Sequence, residues 1–137
     1  MSGTIHVADA GAMIALLRGE PGGDLFLALT EDPENTIFAH GANLAEVFYD
    51  ARRSHGEEHA QGALRRLTEA GDLFRSDFDP AFWQDLARIK ADQRRVSLAD
   101  CFGLALARRV GGTFLSTDRH ELDNDAVRAL CPIRFIR

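Results

Sequence analysis

Apolar positions along this chain follow two rhythms. Short runs at Ile5-His6-Val7-Ala8, Thr36-Ile37-Phe38-Ala39, Leu73-Phe74-Arg75-Ser76, Thr113 to Ser116 and Ile133-Arg134-Phe135-Ile136 read as strands. Between them the apolar residues recur at helical spacing. A helix over Ala12 to Leu17 is stopped by Arg18-Gly19-Glu20-Pro21-Gly22-Gly23, and Asp24 restarts one through Leu25, Phe26 and Leu29. Leu44, Val47, Phe48 and Ala51 stripe the next, with Asn43 placed as its cap and Glu46 three residues on. Another runs from Glu57 to Ala70 and ends at Gly71. Pro80 opens the one that reaches about Arg94. Strands separated by helices predict an α/β protein: three α/β/α layers around a mostly parallel sheet of about five strands. Neither a repeat nor a low-complexity linker interrupts residues 1–137, which read as one domain.

The stretch from Val96 to Leu122 organises the rest. Ser97 is a natural N-cap with Asp100 three residues later, the spacing of a capping box. CFGLALA is apolar nearly all round, so this helix is expected to be covered on most sides. The Gly111-Gly112 pair then turns the chain back into a strand that ends near Asp118. A helix folded antiparallel onto its strand brings Asp100 close to Asp118. In parallel sheets the useful edge is the one where strands end, at the point where strand order reverses. Asp9 also ends a strand, and faces Asp118 if the first and fourth strands are neighbours. Glu46, near the start of the helix after the second strand, belongs to that same edge, although its phase sets it opposite the apolar stripe. Each of these acids also has the position of a helix cap, and that duller role fits each one taken alone.

Composition narrows the classes. With 45% hydrophobic and 27% charged residues the chain has the make-up of an ordinary globular domain. A net charge of -5 argues against a protein that coats nucleic acid by bulk charge, while leaving room for a local basic patch. Two cysteines, Cys101 and Cys131, do not make a disulfide framework, so a reducing cytoplasm is expected. The start has no signal-peptide pattern, and no apolar run is long enough for a membrane span. Of the paired arginines, Arg94-Arg95 precede the Asp100 helix and are the first candidates to meet substrate phosphates, followed by Arg119 beside Asp118. Phe82 and Trp83 read as core or interface anchors. His55 and His59 stand at i, i+4 without an acidic third ligand. Leu25, Phe26, Leu29, Val47 and Phe48 offer apolar surface of which part is a candidate groove for an amphipathic partner helix.

Three pieces of the chain, VADAGAMIALLRGEPG, NLAEVFYD and SLADCFGLALARRVGGTFLSTDR, occur in the order and at the spacing of PIN domains, and the chain resembles the VapC-type ribonuclease toxins of toxin–antitoxin pairs. That resemblance implies a PIN-like fold and a metal-dependent endoribonuclease with Asp9, Glu46, Asp100 and Asp118 as its catalytic acids. Asp9, Asp100 and Asp118 would be the metal ligands, with Ser116 supporting them. Oxygen ligands without Cys or His favour Mg²⁺ or Mn²⁺ over zinc. It further implies a homodimer and a small DNA-binding antitoxin as partner. Ala10 departs from the pattern, because many members carry Ser or Thr after the first Asp. Glu121 and Asp125 stay open as further members of the site. A catalytically silent protein-binding module and a nuclease acting on DNA are the alternatives.

Overall fold

In the computed structural model, which describes residues 3–137, five strands form one sheet in the order β3-β2-β1-β4-β5. The strands are β1 (Ile5–Ala8), β2 (Thr36–His40), β3 (Leu73–Arg75), β4 (Thr113–Ser116) and β5 (Ile133–Phe135), and every pairing is parallel. The helices are α1 (Ala10–Arg18), α2 (Gly23–Glu31), α3 (Gly41–His55), α4 (Glu57–Ala70), α5 (Pro80–Asp92), α6 (Leu98–Val110), α7 (Arg119–Leu122) and α8 (Asp125–Arg128).

Alternation along the strands builds the layers. Val7 and Phe114 point to one side of the sheet, where Phe82, Leu86 and Ile89 of α5 pack with Leu104 of α6. Their neighbours Ala8 and Leu115 point to the other side with Ile37 and Ala39, against Met13 of α1, Phe26 of α2, Val47 of α3 and Leu67 of α4. This is the three-layer α/β/α arrangement expected from the sequence. Gly111, at φ 67°, closes α6 in the left-handed region, and the chain returns directly into β4. The order reverses between β1 and β4, whose register pairs Ala8 with Leu115. The ends of these two central strands therefore lie side by side, and they deliver Asp9 and, just beyond β4, Asp118.

One local expectation is corrected. Asn43 does not cap α3, because β2 runs into the helix without a loop and His40 takes the cap, its Nδ1 accepting from the Ala42 N–H at 3.0 Å. Asn43 is instead fully buried inside α3, and its Nδ2 donates to the Ala99 carbonyl at 3.1 Å, one residue before Asp100. The surplus apolar surface is largely consumed by the core: Phe26 and Val47 are buried, while Leu25, Leu29 and Phe48 pack against core residues at their edges. Phe82 is core, and Trp83 is 41% exposed. The rings of His55 and His59 lie 4.6 Å apart, and among the described residues no three-ligand group includes them. No described helix is long and apolar enough to cross a membrane.

Candidate active site

Helix caps are the raw material of the site. Asp9 follows β1 and caps α1: its Oδ1 accepts from the Ala12 N–H at 2.7 Å, while its own N–H bonds the Leu115 carbonyl at 2.9 Å. Its Oδ2 accepts from the Ser116 hydroxyl at 2.5 Å. Ser116, fully buried at the end of β4, in turn accepts from the Asp118 N–H at 2.9 Å. Asp118 caps α7 through the Glu121 N–H at 3.0 Å. Gly11 has no space for a side chain here, since a Cβ would meet the Thr117 hydroxyl at 2.1 Å.

The next link decides what Asp100 does. Ser97 caps α6 by accepting from the Asp100 N–H at 3.1 Å. In a capping box the Asp100 carboxylate would return the favour to the Ser97 N–H. Glu121 takes that place instead, its Oε1 accepting from the Ser97 N–H at 2.8 Å. Among the described residues nothing donates a hydrogen bond to the Asp100 carboxylate. Relieved of capping, it meets Asp118 and Glu121 in a group where one carboxylate oxygen from each residue lies within 4.8 Å of the other two.

Electrostatics register the crowding. Burial pushes Asp100 up to about 8, and the charges of Asp9, Glu121, Asp118 and Glu46 push the same way. Burial likewise raises Asp9 to about 6, against the lowering effect of its hydrogen bonds from Ser116 and Ala12. Glu121 is raised by burial and by the neighbouring Asp118. Glu46 is raised by partial burial alone, in keeping with its place at the open rim. Five carboxyl groups from four parts of the chain thus gather at the sheet edge, where Asp100 feels the charge of the other four. Asp9, with both oxygens engaged, stands one step behind the three-way group.

The sequence left Glu121 and Asp125 open, and the structure separates them. Glu121 joins the cluster, whereas Asp125 begins α8 with a solvent-exposed side chain facing Arg128 at 3.8 Å. Ala10 is buried, and the hydroxyl next to Asp9 comes from Ser116. Of the proposed cations, Arg94 and Arg95 are exposed, with no ion-pair partner among the described residues. Arg119 is committed elsewhere: its Nε donates to the Arg137 carbonyl at 2.8 Å and its guanidinium lies 4.7 Å from the Phe135 ring centre. Lys90, which the sequence did not single out, donates to the Arg94 and Val96 carbonyls at 2.9 and 2.7 Å and partly offsets the charge of Glu121. Its one local signal is a place in the last turn of α5, where any helix favours a cation.

Such a group suits a hard divalent cation. Its donors are all carboxylate oxygens, its raised acids mark a lack of positive charge, and no Cys or His competes.

Comparison with known proteins bears on the family and the fold. The PIN domain family model matches residues 7–125. No curated protein sequence matches the chain. Among solved structures the chain is similar to one of VapBC2 from Rickettsia felis, bound to a DNA fragment from its promoter, with a TM-score of 0.74, 16% identity, and coverage of 96% of this chain and 98% of that one. It is similar to DNA-bound VapBC from Salmonella typhimurium, with a TM-score of 0.71, 14% identity and full coverage of both chains. VapC20 of Mycobacterium tuberculosis, a sarcin-ricin loop cleaving toxin, matches with a TM-score of 0.61, 17% identity, and 80% and 86% coverage. At these identities the likeness is one of fold.

Proposed function

This chain belongs to the PIN domain family, and we propose that it is a metal-dependent endoribonuclease, the toxin of a VapBC-type toxin–antitoxin pair. In this reading residues 1–137 act as one nuclease domain in the cytoplasm, as a homodimer held in check by a small DNA-binding antitoxin. The similarity to VapBC complexes and to a sarcin-ricin loop cleaving toxin supports it. One observation carries it furthest: Asp100 gives up its cap to Glu121 and turns an otherwise unbonded carboxylate toward Asp118 and Glu121.

Asp100, Asp118 and Glu121 would hold Mg²⁺ or Mn²⁺, with Asp9 behind them and Glu46 at the rim. The ion's chemistry there is to polarise the scissile phosphate and to make a bound water acidic. Ser116 fixes Asp9 and the start of α7 together, so that two acids from distant parts of the chain keep one spacing. Ser116 is no nucleophile, because its hydroxyl proton is given to Asp9 and its oxygen accepts from Asp118. Glu46, on the open side, would take the proton of the attacking water at a carboxylate oxygen. An antitoxin's Arg or Lys would enter the same cleft by charge compensation and compete with the metal.

The test is RNA cleavage in Mg²⁺ or Mn²⁺ by wild type, Asp9→Asn and Asp100→Asn. Each variant is expected to lose cleavage while keeping its fold, since Asn can still cap α1 in place of Asp9, and among the described residues the Asp100 carboxylate accepts no hydrogen bond that Asn would lose. An Asp100→Asn protein that cuts RNA at the wild-type rate removes the proposal.

A further inference from the structure

The acidic cleft leaves one face of α3 unused. Glu46, Tyr49 and Arg53 fall at i, i+3 and i+7, so they line that face together. Glu46 stands at the rim of the cleft, where its charge is felt by Asp100. Tyr49 lies about 4.5 Å further along the helix axis. At 64% exposure it is the most exposed of the large apolar side chains described. The Arg53 guanidinium sits 5.7 Å from its ring centre, which covers one side of the ring and leaves the other to solvent.

One cation, Arg53, stands directly behind the ring, and its carboxylate partner is shared. Arg18 and Arg53 share one carboxylate, that of Asp50, at 2.6 and 3.6 Å. Glu20 reaches Arg18 only at 4.0 Å and also faces Arg137 at 3.5 Å. Arg52 is neutralised by Glu57 at 3.0 Å. An amphipathic protein helix would need apolar neighbours around the ring, but the exposed residues adjoining it on α3 are Ala45, Glu46, Arg52 and Arg53. A single-stranded nucleic acid needs what is present: an open aromatic face, which accepts any base, and a cation behind it for the backbone.

We infer that Tyr49, backed by Arg53, is a stacking site that positions a base next to the scissile phosphate of single-stranded RNA. This rests on the reading of the cleft as a ribonuclease site, and its test separates the two. Tyr49 is the only tyrosine in the chain, so carbon-labelled tyrosine gives the NMR signals of this one ring. In the Asp100→Asn protein, a short single-stranded oligoribonucleotide is expected to shift those signals upfield. Tyr49→Ala in that background is expected to weaken binding on the order of tenfold, the size of one lost stacking contact, and Tyr49→Phe to preserve it. With Asp100 restored, Tyr49→Ala raises KM by a similar factor and leaves kcat in place. Ring signals that stay put, or unchanged oligonucleotide affinity in Tyr49→Ala, overturn the inference. If that variant also loses its dimer while binding RNA normally, the face belongs to a second copy and the inference is again overturned. RNA cleavage with an unmoved ring sinks the stacking site alone. A ring that responds in a protein that never cuts RNA keeps the stacking site and sinks the ribonuclease reading.

Discussion

Neutralising Asp100 should make the metal-free protein more stable while it disables the cleft. Asp100 rises from 3.8 to about 8 in the folded protein, chiefly through burial and then through four neighbouring acids. Between those values the native state holds a proton that the unfolded chain has released, so stability falls as pH rises through this interval and levels off above it. At about 1.4 kcal/mol per pH unit, the distance from 3.8 to neutral pH sets a ceiling of about 4 kcal/mol. Protons shared among the clustered acids and small local adjustments reduce it, and roughly 1–3 kcal/mol is expected. Asn keeps the shape without titrating. Thermal unfolding in EDTA, followed across the pH range, should show Asp100→Asn and wild type alike near pH 4. Near pH 8 the variant should melt higher, by roughly 3–5 °C per kcal/mol for a domain of this size. Adding Mn²⁺ should reverse the order, because the ion stabilises only a folded protein with its ligands intact. An Asp100→Asn protein equally or less stable than wild type at pH 8 without metal would refute the account of a charge-starved cleft.

Three further outcomes follow from the same contacts. Glu121→Gln keeps an acceptor for the Ser97 N–H but loses a charge, so it should fold normally and show a smaller Mn²⁺-induced rise in melting temperature; an undiminished rise would make Glu121 a cap and nothing more. Ser116→Ala strips a partner from both Asp9 and the Asp118 N–H, and should cost about 1–3 kcal/mol in urea unfolding. Asp72 is buried with both oxygens unpartnered and is pushed up to about 7 by burial, so its native proton makes stability fall as pH rises from about 4 toward 7. Asp72→Asn should therefore raise the urea midpoint at neutral pH and leave it unchanged near pH 4.

How far the sequence reached depended on whether a feature was local. Apolar rhythm carried the alternation of strands and helices, and alternation carried the parallel sheet, because each short strand needed helices on both faces. The Gly111-Gly112 turn brought Asp100 back toward Asp118, and the adjacency of β1 and β4 set Asp9 opposite. Asn43 misled because its spacing to Glu46 imitates a capping box. The signal that outranks it, a histidine ring at the end of β2 accepting from Ala42, depends on His40 being wedged against Phe82 and Phe102, far off in the chain. Arg119 looked like a free cation because nothing near it in sequence announces Phe135 and the terminal carbonyl. Glu121 is the sharpest instance. Its spacing to Asp118 is that of a local cap, yet its carboxylate serves Ser97, 24 residues back. Where two helix starts that each hold a complete capping box in sequence meet, Glu121 crosses to the Ser97 N–H, Ser116 takes the Asp118 N–H, and the Asp100 carboxylate is left over. Caps and site were thus never rival explanations of these acids: helix starts favour carboxylates at this edge, and the crossing of Glu121 leaves Asp100 free to face Asp118 and Glu121.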